Sequence, residues 1–122
     1  MKQALIQVRP DAEAAFAESI ERARNAFKTG QPSDPVATFT FSSASQLFST
    51  ITPKRWVLIE QIQKSGPVSI RQAARDADRD VRRVHDDISV LLEWGIIEKD
   101  ESGKVFVPFD VIHAGFDLKA AA

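Results

Sequence analysis

The sequence predicts an α+β fold, mainly α. Three observations carry this expectation. In the second half, apolar residues recur every three or four positions in three consecutive stretches, each preceded by a residue of helix-capping type. Directly after them, two short runs rich in β-forming residues flank an Asp-Glu-Ser-Gly turn, the pattern of a hairpin. In the first half, β-rich runs at 4–8 and 36–41 bracket one long helical stripe.

The elements follow in chain order. Residues 4–8 (ALIQV) are expected as a strand. Pro10 and Asp11 then open a helix to about Lys28, with proline near the first turn and Asp11 and Glu13 at the positive end of the helix dipole. Ala12, Phe16, Ile20, Ala23 and Phe27 keep a three-to-four spacing, which predicts one buried stripe. Gly30 ends the helix, and residues 31–35 (QPSDP) form a turn. Residues 36–41 (VATFTF) are expected as a second strand, and residues 42–51 as a short helix capped by Ser42 or Ser43.

Thr52 followed by Pro53 is an N-cap and a first-turn proline. The helix they open carries Trp56, Leu58, Ile59 and Ile62 and stops at Ser65-Gly66-Pro67. Ser69 caps a short helix with Ile70, Ala73 and Ala74. A turn around 76–78 leads to a third helix, expected over 79–94, with Val81, Val84, Ile88, Leu91 and Leu92 facing inward. Gly95 is placed as its C-cap. Strands are expected at 96–99 and 104–107 around the turn at 100–103, and one more within 111–118, before a frayed KAAA tail.

Helix, short helix, longer helix and hairpin is the order of a winged helix-turn-helix, and this fold is expected for residues 52–108. Residues 1–51 form a strand-helix-strand-helix extension expected to dimerise, because its apolar stripe must be covered. Residues 109–122 add a C-terminal strand and tail.

A helix with an outward arginine face fits the DNA major groove, where arginine meets guanine bidentately. The first residues of such a helix usually make the base contacts. Here these are Arg79, Asp80, Arg82, Arg83, His85 and Asp86. Phosphates are expected at Lys54 and Arg55, at Ser69, Arg71 and Gln72 at the start of the short helix, and at Lys99 and Lys104 beside the hairpin tip. The partner implied is double-stranded DNA.

At this point the sequence resembles the MarR-like winged-helix regulators, and within them a group of small regulators of bacteria and archaea. The resemblance lies in TPKR, GPVSIR, RDVRRVHDD, LLEWGII and VPFD, and extends to FTFSSASQLFSTI and IHAGFDL. It implies that Arg79, Asp80, Arg82, Arg83, His85 and Asp86 lie on the reading helix. It also implies a gene-pair association with small toxin-like proteins. One departure is Asp86-Asp87, where the pattern leads one to expect a basic residue.

Composition sets bounds on function. The chain has 122 residues, enough for one domain or a small domain with an appendage. It is 43% hydrophobic and 27% charged, ordinary for a globular protein. Cysteine is absent, which excludes disulfides, thiolate metal sites and cysteine catalysis. The opening residues lack the apolar run of a signal peptide, and no stretch approaches the ~18 apolar residues of a membrane span, so a cytoplasmic protein is expected. Net charge is −1. Between residues 71 and 83, five arginines (71, 75, 79, 82, 83) stand against three aspartates (76, 78, 80). This small local excess implies salt-sensitive affinity and makes a homodimer part of the expectation.

Other chemistries find little support. His85-Asp86 resembles the metal-binding dipeptide of phosphohydrolases, but His113 is the only other histidine, so no metal site is expected. Trp56 and Trp94 lie near apolar stripes and are expected to pack, and the phenylalanines to fill core or dimer surface. No nucleophile has a base in a recognisable triad, and no glycine-rich loop precedes a helix, so neither an enzyme nor a cofactor is expected. Two functions remain: a dimeric transcriptional repressor, or an antitoxin-like module that binds and neutralises a toxin.

Overall fold

The computed structural model describes residues 2–29 and 36–120, without the side chains of 12–15, 19 and 26–29. The turn expected at 31–35, the end of the first helix at Gly30 and the last two alanines lie outside the described residues. The protein is α+β, and about half of it is helical. Its elements are β1 (Gln3–Val8), α1 (Ala12–Thr29), β2 (Ala37–Phe41), α2 (Ala44–Thr50), α3 (Pro53–Ser65), α4 (Ile70–Ala77), α5 (Val81–Trp94), β3 (Glu98–Lys99), β4 (Val105–Phe106) and β5 (Val111–Gly115).

The chain divides into two compact units: Met1–Leu47 with Val111–Ala122, and Phe48–Asp110. The first contains a three-stranded sheet of order β2-β1-β5, parallel throughout. The segments at 4–8 and 36–41 therefore pair within one chain. The C-terminal segment is part of the same sheet, with Ile112 opposite Ala4 and Ala114 opposite Ile6. Side chains alternate across a strand, so Ala4, Ile6 and Phe41 share one face, and all three are buried. The other face is more polar, and there Gln7 Nε2 donates to Thr40 Oγ1 at 3.0 Å.

Three residues of the α1 stripe depart from expectation, and the side chains of the other two, Ala12 and Phe27, lie outside the described residues. Phe16 is 68% exposed, Ile20 is 42% exposed and Ala23 is exposed too. Spacing identifies an apolar face, but it does not say whether the chain itself covers that face.

In the second unit, side-chain caps set the helix starts. Thr52 Oγ1 accepts from Arg55 N at 3.4 Å, Ser69 Oγ from Gln72 N at 3.1 Å, and Asp80 Oδ2 from Arg83 N at 3.3 Å. The third helix thus begins at Val81, two residues later than the sequence suggests. Asp78 adopts the left-handed conformation (φ 52°) and closes α4, while Arg79 N donates to Ala74 O at 3.0 Å. Asp80 is left as the cap, so Arg79 and Asp80 stand ahead of the helix rather than on it. Val81 also departs from its inward assignment and is exposed. Leu92, assigned the same way, is half-buried.

The unit's core is Leu58, Ile59 and Ile62 from α3, Ala73 and Ala74 from α4, and Val84, Ile88 and Leu91 from α5. Ile51, Val68, Ile96, Ile97, Val105 and Phe109 complete it among the described residues. Gln61 Nε2 donates to Ala73 O at 3.0 Å, and Gln63 Nε2 donates to Phe109 O and Asp110 O at 3.1 Å each, tying α4 and residues 109–110 to α3. β3 and β4 pair antiparallel. Val68 adds a bridge on the other side of Val105, with N–H···O bonds of 3.0 and 2.8 Å. The tip is closed by Asp100, whose Oδ1 accepts from Ser102 N, Ser102 Oγ and Lys104 N. These bonds, that from the Ser102 hydroxyl first, hold the Asp100 carboxyl below its ordinary range.

Both tryptophans, Trp56 and Trp94, lie in this second unit, so their fluorescence reports on it alone. Ile88→Ala is expected to lower its stability by about 3 kcal/mol, as for a fully buried aliphatic side chain. Val57→Ala, at an exposed position of α3, should change it by less than about 0.5 kcal/mol. Urea titration followed by tryptophan emission measures both.

Candidate functional site

Of the charged side chains singled out in the sequence, Arg71, Arg79, Asp80, Arg82, Arg83, His85 and Asp86 lie on α4, on α5 or in the turn between them, whereas Lys54 and Arg55 are on α3 and Lys99 and Lys104 are at the hairpin. Arg71, Arg75, Arg82, Arg83, His85 and Asp86 are exposed. Ser69 and Gln72 are exposed too, but Ser69 caps α4 and Gln72 Nε2 donates to Asp76 Oδ1 at 2.8 Å. Asp80 is committed to its cap. Lys54 is exposed at the start of α3, and Lys99, at the end of β3, and Lys104, just before β4, flank the hairpin turn. Ser89 Oγ donates to His85 O at 2.8 Å, one turn along the outward side of α5.

Two of the candidates point elsewhere. Arg79 Nη2 donates to Asp87 Oδ2 at 2.7 Å, and Arg55 Nε donates to Asp87 Oδ1 at 3.0 Å. Arg55 Nη1 also donates to Thr50 O at 2.7 Å. All three side chains are less than one-fifth exposed. One carboxylate thus holds two guanidinium groups, from the start of α3 and from the turn before α5. Arg79 Nη1 is buried and has no hydrogen-bond partner. Arg55 and Arg79 are therefore occupied in this geometry, and the exposed cations nearest the turn are Arg71, Arg75, Arg82 and Arg83.

The triad also accounts for half of the Asp86-Asp87 departure. Asp87 faces the protein, whereas Asp86 faces outward beside His85, with 3.8 Å between His85 Nδ1 and Asp86 Oδ1. Burial pushes the Asp87 carboxyl upward, but hydrogen bonds from Arg79 and Arg55 outweigh it and leave the group below its ordinary range.

A shallow groove of about 410 Å³ runs along this surface, lined by Arg71, Ala74, Arg75, Asp78, Arg79 and Val81. Sequence reasoning did not assign Arg75 a contact. Its signal was its position one turn after Arg71 on a helix opened at Ser69. Asp87 was missed because its partners lie 8 and 32 residues away.

The first unit has its own concavity, at the carboxyl ends of β1 and β5. Arg9 dominates it, bonded to Asp11 at 2.7 Å and Glu18 at 2.8 Å. The hydrogen bond from Arg9 draws the Asp11 carboxyl down to about 2. Arg9 and Lys119 there are balanced by Asp11 and Asp117, which leaves no net charge in the lining.

Among the described residues, no group of three or more histidines and acids is arranged to hold a metal ion. None of the described helices is long and apolar enough to cross a membrane.

A family model described as HVO_A0114 matches residues 50–114. The chain belongs to the HVO_A0114 family. The matched segment runs from the end of α2 into β5, and so contains the Arg55–Asp87–Arg79 triad, the groove and the whole of α5. No curated protein and no solved structure matches the chain.

Asp87→Ala would leave two guanidinium groups facing each other with little water, and is expected to cost about 3 kcal/mol. The pH dependence has a definite sign. A carboxyl held below its unfolded value stabilises the fold fully above that value, and the contribution is lost as pH falls through the folded value. Stability conferred by Asp87 should therefore persist from neutral pH down to about 4 and disappear below it. Tryptophan-monitored urea titrations at a series of pH values, on wild type and Asp87→Asn, test this. The two should differ at neutral pH and converge in acid, and a difference that does not shrink there would contradict the assignment.

Proposed function

We propose that residues 52–108 are a winged helix-turn-helix of the MarR-like kind, and that the protein is a dimeric, sequence-specific DNA-binding regulator acting in the cytoplasm as a repressor. The observation that carries this reading is the exposed outer side of α5. It is set up by a capped α4, a left-handed turn at Asp78 and a second cap at Asp80, with a hairpin following. The bridge from Val68 to Val105 supports it further, because it joins the segment between α3 and α4 to the hairpin as a third short strand.

In this reading α5 enters the major groove. Arg82 reads guanine, and His85 and Asp86 reach further base edges, since a carboxylate accepts from cytosine N4. Arg83 lies at the flank of the same turn. Arg71 and Arg75 on α4, with Lys54 on α3, meet backbone phosphates. Arg55 and Arg79 position the helix through Asp87. The hairpin contributes little, because Asp100 and Glu101 stand at its tip.

Two copies are part of the proposal. Phe16 and Ile20 present an apolar face on α1, and a second copy of this chain would cover it. Two-fold symmetry would then carry two α5 helices to half-sites about one DNA turn apart.

A second reading is favoured by the charge of the same surface. Arg82 is followed along the outward side of α5 by Asp86 and Glu93, which are also exposed. Such a face suits a protein partner, and an antitoxin-like module that neutralises a toxin would use it without DNA.

Fluorescence anisotropy on duplexes from the protein's own promoter separates the two readings. Binding is expected at low salt and should fall steeply as salt rises. Arg82→Ala with Arg83→Ala is expected to weaken it by at least about tenfold, with unchanged far-UV circular dichroism. Absence of binding at low salt, or full binding by the double variant, would count against DNA recognition by α5. Light scattering should show a dimer at micromolar concentration, and Phe16→Glu with Ile20→Glu a monomer. A wild-type monomer would remove the dimer from the proposal.

A further inference from the structure

Val81 is the first residue of α5, and its side chain is 43% exposed. Among the described residues it is the one large apolar side chain of that helix that is exposed, Val90, Leu92 and Trp94 being half-buried. With about 3.6 residues per turn, Val84, Ile88 and Leu91 define the buried side, and Val81 falls at its edge. His85 lies one turn further along the same flank, and Arg82 stands next to Val81 on the outward side. The two polar residues just before it are occupied, Asp80 by its cap and Arg79 by Asp87. The start of α5 therefore carries an exposed branched apolar side chain one residue before an exposed arginine.

Such a pair matches a specific base pattern. Arginine meets guanine through O6 and N7. In the major groove, the apolar group on a base edge is the C5 methyl of thymine. We propose that Val81 is a specificity determinant that packs against a thymine C5 methyl, so that each half-site holds a thymine adjacent to the guanine read by Arg82. The inference rests on the DNA-binding reading above and adds to it a residue and a base.

A methyl contact has a signature that charge contacts lack. Thymine and uracil share every hydrogen-bonding atom and differ only in that methyl. Phosphate contacts and the Arg82 contact are blind to the difference.

The test uses the full chain. Duplexes are selected from a randomised library, and affinities for the enriched sequence are measured by fluorescence anisotropy. Each thymine is then replaced in turn by deoxyuridine. Wild type is expected to lose roughly fourfold in affinity for each such methyl removed, at one position of each half-site, next to a guanine. Val81→Ser, which removes both methyls, should bind the thymine and uracil duplexes equally, and Val81→Ile should keep the preference for thymine. The position is exposed, so neither substitution threatens folding, and circular dichroism checks this.

Indifference of wild type to uracil at every thymine would overturn the inference while leaving DNA binding intact. So would a thymine preference that survives in Val81→Ser. If no duplex is enriched and none binds at low salt, the DNA reading itself fails and this inference with it.

Discussion

The placement of α5 depends on one carboxylate. Asp87 lies between Arg79 at 2.7 Å and Arg55 at 3.0 Å, and Arg55 reaches on to Thr50 O. The group thereby joins the start of α3, the turn after α4 and the second turn of α5. Such a cluster is weak evidence for stability, because desolvating three charges costs about as much as their attraction returns. What the distances show is a match of register, one acceptor to two donors from separate segments. A shift of α5 along its axis would leave two guanidinium groups, poor in water, without their acceptor. Arg79 Nη1, buried and unpartnered, shows that even the correct arrangement carries a cost.

The consequence reaches the surface. With Arg79 drawn to Asp87, the turn closes on Asp78 in the left-handed conformation and Asp80 becomes the cap. Val81 and Arg82 then stand at the exposed tip of the helix. Two of the three aspartates near these arginines have structural work here: Asp78 ends α4 and Asp80 starts α5. Asp76 is bonded to Gln72. The acids that make this surface nearly neutral are largely those that shape it.

Local chemistry made the helices of the second unit legible, because Thr52 and Ser69 are caps whose effect spans three residues. The third start was ambiguous for a physical reason. Asp78 and Asp80 are both of capping type, and the choice between them is made by the left-handed closure of α4. Spacing placed Val81 with Val84, Ile88 and Leu91, but a residue at the edge of a stripe is exposed when nothing stands beside it. The triad and the Val68–Val105 bridge join residues far apart in the chain and leave no periodic trace. The pairing of β1 with β5 is more distant still, with Gln3 opposite Val111, and short parallel strands carry no pattern that names their neighbour.

Charge sets the last constraint on the proposed function. Non-specific affinity for DNA comes from cations meeting phosphates. Here Arg55 and Arg79 are turned inward, and the hairpin tip carries Asp100 and Glu101. Asp100 cannot simply be exchanged for a cation, since its Oδ1 accepts three bonds that close the turn. Little is left for sequence-independent attraction beyond Lys54, Arg71, Arg75, Arg83 and the lysines beside the hairpin. A protein built this way would bind arbitrary DNA weakly. Its preference for a particular site must then come from base contacts at the start of α5 and from having two such helices. In such a protein weak background attraction would make that preference more selective, because competing sites in a genome would hold little of it.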